Sequence, residues 1–189
     1  PAKAETACLV LPVYKGSDLL PAVAKLDDAS ERLIGQLLER GDFDAALGNT
    51  QLVPFAPGLG ADRILLVGLG ERDKCQEAAF IKALDAAMAA LVKLPVDEAS
   101  ATFTDVPLDD RDAVWKARKT LEAAERAIYR FDHFKSSPAK APSLAKLTLI
   151  VSDAGDAPLA KQGAALGTAI GQGINFTRTL GNLPGNVCT

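Results

Sequence analysis

Histidine is nearly missing from this chain: His133 is the only one in 189 residues. A metal site built on several imidazoles is therefore excluded. Cysteine is scarce too. Cys8, Cys75 and Cys188 are an odd number at distant spacings, which fits neither a disulfide framework nor a zinc site. They read as buried or half-buried thiols in a reducing compartment, so a cytoplasmic protein is expected. Long apolar runs are absent. None approaches the ~18 residues that a membrane helix needs, and no membrane partner is expected. The opening residues hold a short apolar run of strand length without the layout of a secretory signal. No long run of Lys or Arg occurs and the net charge is −3. Binding of nucleic acid by bulk charge is thus disfavoured, and only a local basic face could supply it. The patterns G-x-S-x-G, H-E-x-x-H and the P-loop are all lacking. Acidic residues are plentiful, but none has the spacing of a paired-carboxylate site or of zinc ligands.

What is present is an ordinary globular composition, with 48% apolar and 24% charged residues. The length suits one domain with a sizeable core, or one domain and a small extension. Residues 6–13 (TACLVLPV) predict a strand. Residues 28–31 (DASE) predict a capping box, with Leu33, Ile34, Leu37 and Leu38 following at helical spacing and Gly41 ending the helix. Residues 51–55 predict an edge strand, because Pro54 lacks a ladder donor. Residues 63–68 (RILLVG) predict a strand buried on both faces, as in a parallel sheet. A helix over 76–94 places Phe80, Leu84, Met88 and Leu91 on one face. Residues 102–106 predict a short strand. The strongest helix pattern covers 109–131, where Val114, Ala117, Leu121, Ala124, Ile128 and Phe131 step by three and four. Residues 136–143 form a loop by composition, 147–151 (LTLIV) a buried-type strand, and 158–180 a last long helix. This alternation predicts an α/β fold, a three-layer αβα arrangement on a mixed, largely parallel sheet.

Two glycine-rich loops invite a phosphate reading. Gly68, Leu69 and Gly70 follow a buried strand and precede a helix, where a dinucleotide fold places its phosphate loop. However, position 73 is Asp instead of the third glycine, and Glu71 would also face the phosphates. The competing reading is a turn that needs glycine for its backbone angles. Pro57, Gly58, Leu59 and Gly60 form either a second nucleotide cradle or a plain surface connection. The segment 129–135 (YRFDHFK) mixes aromatic and basic residues, as a nucleic-acid platform would. It reads equally as a helix end, with Ile128 and Phe131 inward and Arg130 and Lys135 outward. His133 is expected at that helix end, capping carbonyls or solvated. None of these forms a catalytic constellation.

Gly163, Gly167 and Gly171 recur every four residues along the final helix. Each costs roughly 1 kcal/mol relative to Ala, so together they would weaken an isolated helix by about 3 kcal/mol. Close approach of another backbone along that stripe is the expected compensation, and the helix is expected to be tightly packed. A membrane dimer motif is excluded by Lys161, Gln162 and Gln172. Beyond this helix, residues 173–189 (GINFTRTLGNLPGNVCT) read as a helix end running into a Pro/Gly turn, with no closing strand or helix after it.

These last residues carry a resemblance. Arg178, Leu180, Asn182, Pro184 and Asn186 resemble the N-x-P-x-N entry to the catalytic domain of the leucyl (cytosol) aminopeptidases, peptidase family M17. The segments 129–136 (YRFDHFKS) and 63–73 (RILLVGLGERD) resemble two further family segments, in family order. Alone, VGLG is weak; the terminal turn after its helix is fairly specific; the three together are strong.

The resemblance implies that residues 1–155 are a non-catalytic N-terminal α/β domain, similar in topology to macro domains. It implies a connecting helix over 156–181, and it implies that 182–189 open a C-terminal catalytic domain lying beyond Thr189. In the family that domain holds two divalent metals, manganese or zinc, on carboxylates and a lysine, to activate water and bind the peptide amine and carbonyl. No catalytic, cofactor-binding or metal-binding residue is therefore expected within these 189, and this stretch alone is expected to be inactive. The implied parent is a cytoplasmic homo-hexamer that removes N-terminal residues, preferably Leu, from peptides, with its own catalytic domain as this domain's partner. Some bacterial members also bind DNA, which leaves DNA open as a partner. A macro-like module holding ADP-ribose or a related nucleotide is the alternative from a different class.

Overall fold

Two apolar runs lie side by side at the centre of the molecule. In the computed structural model, which describes residues 5–16, 19–138 and 140–187, β1 (Leu9–Tyr14) pairs in parallel with β3 (Ile64–Gly70). All of β1 is buried, and all of β3 except its last residue. A parallel strand covered on both faces has this continuous apolar character. β4 (Glu98–Ala101) joins the free side of β1 in parallel, and β5 (Lys146–Leu149) joins β4 in the same sense. β2 (Thr50–Val53) pairs antiparallel with β3 and stops just before Pro54. The order is β2-β3-β1-β4-β5, with β2 and β5 at the edges.

Helices α1 (Pro21–Ala29) and α2 (Leu33–Glu39) precede β2, α3 (Glu77–Leu91) links β3 to β4, α4 (Ala113–Ile128) links β4 to β5, and α5 (Asp156–Asn182) comes after β5. Helices cover both sides of the sheet, and the expected three-layer α/β arrangement is what forms. On α3, Phe80, Leu84, Met88 and Leu91 are all buried, as their spacing predicts. Phe80 meets Phe103 edge to face at 5.9 Å and Trp115 at 5.8 Å.

Pro12 stands inside the most central strand, where a missing N–H would ordinarily break the ladder. Leu9 and Lys15 donate their N–H groups toward β3. By alternation Pro12 faces the other side, and there β4 has already ended at Ala101. No ladder partner is lost.

Several local expectations shift. The strand expected from residue 6 begins at Leu9, and Thr6 forms only an isolated bridge with Ala61. The predicted capping box at 28–31 does not form. Asp28 lies within α1, a helix that the sequence pattern did not reveal; Ser30 closes it, and Glu31 and Arg32 take left-handed angles. The capping carboxylate is one residue earlier: Asp27 Oδ1 accepts from the Ile34 and Gly35 N–H groups at 2.7 and 3.1 Å. Gly41, with φ +75°, comes just after α2 as expected.

The strand predicted at 102–106 lies at 98–101, and Phe103, Thr104 and Asp105 form a 3-10 turn. β4 reads Glu-Ala-Ser-Ala, with no β-branched residue to signal it, and its pairing with β1 decides its place. Helix α4 is shorter than predicted. Asp110 is left-handed, Asp112 is the N-cap and accepts from the Trp115 N–H at 2.8 Å, and Tyr129 is already extended. Of the predicted apolar face, Ala117 and Ala124 are buried while Val114, Leu121 and Ile128 are half-buried. The expected buried strand at 147–151 is an edge strand over 146–149 with alternating exposure; only β4 pairs with it.

Candidate functional site

The glycine loops are closed by their own chain. Gly68 accepts from Gly48 and donates to Asn49. A Cβ at Gly68 would lie 2.6 Å from the Ala45 carbonyl. Gly70 has φ +75° and donates to the Ala45 carbonyl. Gly58 also has φ +75°, and a Cβ there would collide with the Ala29 carbonyl. Glycine is needed at both places so that two backbones can cross, which is the plainer of the two sequence readings. Glu71 and Asp73 are exposed, with Glu71 paired to Lys74.

A crevice of about 470 Å³ opens at the carboxyl ends of β1, β3 and β4. This is the switch point of the sheet, since the chain leaves β1 to one side and later returns to the other. Its lining comes from Tyr14, from Arg72, Asp73 and residues 75–77, and from residues 107–111. Spacing along the chain gives no hint of this convergence. Arg111 pairs with Glu77 at 2.8 Å and lies over the Trp115 ring at 5.4 Å, and Arg72 lies over the Tyr14 ring at 5.7 Å. Tyr14 is buried against Cys75, and burial raises the pKa of both groups, keeping them protonated at neutral pH. Asp73, Glu77, Asp109 and Asp110 outnumber the two arginines in the lining, so the crevice is not an anion cradle.

The seam between α4 and α5 gathers most of the residues that the sequence singled out. Gly163, Gly167 and Gly171 are buried on α4, together with Ala160. A Cβ at Gly163 would stand 2.9 Å from the Val114 Cα, one at Gly167 2.9 Å from the Leu121 Cβ, and one at Gly171 2.7 Å from the Glu125 Cγ. The expected close approach of a second backbone is thus found, and α4 supplies it. Under Gly171 lies Glu122, buried, accepting from Lys119 Nζ at 2.8 Å with Arg118 Nε at 3.4 Å.

At the far end of the seam the two motif segments meet. Thr179 Oγ1 donates to the Asn175 carbonyl at 2.9 Å, which leaves it to accept from the Tyr129 hydroxyl at 3.3 Å. Asn182 Nδ2 donates to the same hydroxyl at 3.4 Å, and the Arg178 guanidinium lies 3.9 Å from the Tyr129 ring centre. Asn175 Nδ2 donates to the Glu125 carbonyl at 2.8 Å. Residues some fifty positions apart thereby lock the start of the YRF segment to the end of α5. Pro184 and Asn186 lie in an exposed turn after the helix.

The rest of 129–135 departs from the helix-end reading. Phe131 is half-buried outside α4; His133 is exposed, the solvated one of its two expected settings, and stacks on Phe131 at 5.9 Å. Asp132 is paired with Lys135 at 2.7 Å, and this contact lowers the pKa of its carboxyl. Arg130 reaches the Lys140 carbonyl, so the basic residues serve the local loop. Cys8 and Cys75 are buried free thiols, and burial pushes Cys8 up to about 11; Cys188 lies outside the described residues. Among the described residues no three His, Cys, Asp or Glu side chains are grouped to hold a metal ion. No helix among the described residues is long and apolar enough to cross a membrane.

Comparison with known proteins adds to this picture. Residues 10–138 match the model of the cytosol aminopeptidase family, N-terminal domain. The chain is 69% identical over 189 residues to a probable cytosol aminopeptidase of Chromohalobacter salexigens and 39% identical over 191 residues to that of Halorhodospira halophila. These alignments cover 100% of this chain but 37% and 38% of the relatives, so the chain spans little over a third of their length. Among solved structures, a tomato leucine aminopeptidase mutant superposes with a TM-score of 0.72 at 20% identity, over 97% of this chain and 37% of that one. The bottromycin maturation enzyme BotP in complex with Mn gives 0.68 at 21%, over 97% and 33%. At such identities the structures speak to the fold, and the family rests on the sequence matches: the chain belongs to the cytosol aminopeptidase family, peptidase M17, and carries its N-terminal domain.

Proposed function

We propose that residues 1–155 are the non-catalytic N-terminal domain of a metal-dependent leucyl aminopeptidase. Helix α5 would be its connector, and 182–189 the entry to a catalytic domain. The observation that carries this reading is the α4–α5 seam. It fixes one long helix rigidly to the α/β body and delivers its end, through the Tyr129 cluster, to the N-x-P-x-N turn. In this reading the N-terminal domain positions the catalytic domain and takes no part in the chemistry. Two divalent metals, manganese or zinc, would act in the catalytic domain on peptides with N-terminal Leu. Cytoplasmic location and a hexameric parent belong to the same proposal, the first supported by the names of the relatives.

The 189-residue chain is expected to release no product from a leucyl chromogenic substrate with added Mn²⁺ or Zn²⁺. Metal-dependent turnover by the purified chain would overturn the reading. The nucleotide alternative predicts heat on titration with ADP-ribose. None is expected, because the glycine loops are closed on their own backbone. DNA binding by this domain predicts a salt-sensitive gel shift, which we do not expect at net charge −3.

A further inference from the structure

We draw no further inference here: the strongest candidate, the crevice at the carboxyl ends of β1, β3 and β4 where Asp73, Asp109 and Asp110 gather around Tyr14 and Cys75, is an acidic cluster beside the N-terminus of α3, and no second feature among the described residues points to a ligand for it.

Discussion

Helices α4 and α5 lie against one another and reverse the usual order of polarity. α4 is the inner of the two, packed between α3 and α5, and six of its 16 residues are charged: Lys116, Arg118, Lys119, Glu122, Glu125 and Arg126. α5 is the outer one, and three of its 27 are. A surface helix ordinarily puts charge on its outer side. α4 tolerates charge because the charges are paired at its margins. Arg126 reaches Asp85 of α3 at 2.5 Å, and Lys119 and Arg118 hold Glu122. α5 meets α4 through glycine and leaves Leu166, Ile170 and Ile174 exposed beside that stripe. The same helical period thus serves two ends: in α4 it closes a core, and in α5 it fixes a surface in place.

The comparison can be broken most severely from the body side. Phe80→Ala removes a ring packed on Phe103 and Trp115 beneath α4. We expect a loss of about 3–5 kcal/mol, read from urea unfolding. If only α5 loosened, the packing of Phe80 on Phe103 and Trp115 would not be what holds the body together.

Gly167→Val attacks the seam. Its Cβ already has Leu121 at 2.9 Å and Arg118 C at 3.0 Å, so the helices must part, at a cost of about 3 kcal/mol. Amide exchange along α5 should accelerate while α3 stays protected. Uniform acceleration would mean that seam and body unfold as one.

A third expectation concerns pH and belongs to the body alone. Burial raises Cys8 from 9.0 to about 11. The folded state therefore holds its proton longer than the unfolded one. The resulting stability is complete below pH 9 and is lost as pH rises toward 11, on the order of 2–3 kcal/mol in all. Cys8→Ala should flatten that decline in denaturation midpoints measured from pH 8 to 11.

The smallest effect has the opposite sign. Gly173 lies in α5 with nothing within 4 Å of a Cβ. Gly173→Ala should stabilise the chain by up to ~1 kcal/mol. A loss there would show that the exposed face of α5 is more closely packed than the seam picture allows.

Legibility in the sequence depended on how locally each feature is encoded. The buried strand β3, helix α3 and the glycine stripe of α5 were readable because their period or composition appears within one segment. Asp27 was not, because its partners Ile34 and Gly35 are reached only after two left-handed residues turn the chain back. β4 was not, because Ala and Ser carry no strand signal and its pairing with β1 supplies what its side chains do not. The edge position of β5 was hidden because a short apolar run looks the same at the edge of a sheet as at its centre.

The sequence by itself determined the α/β alternation, the central apolar strands and the need for a close partner along Gly163, Gly167 and Gly171. Each arises from residues that are neighbours in a strand or a helix. Only the tertiary structure decided that α4 is that partner, that Tyr129 meets Arg178, Thr179 and Asn182, and that one face of α5 stays uncovered. Those facts depend on contacts between residues about fifty positions apart, and no local period encodes them.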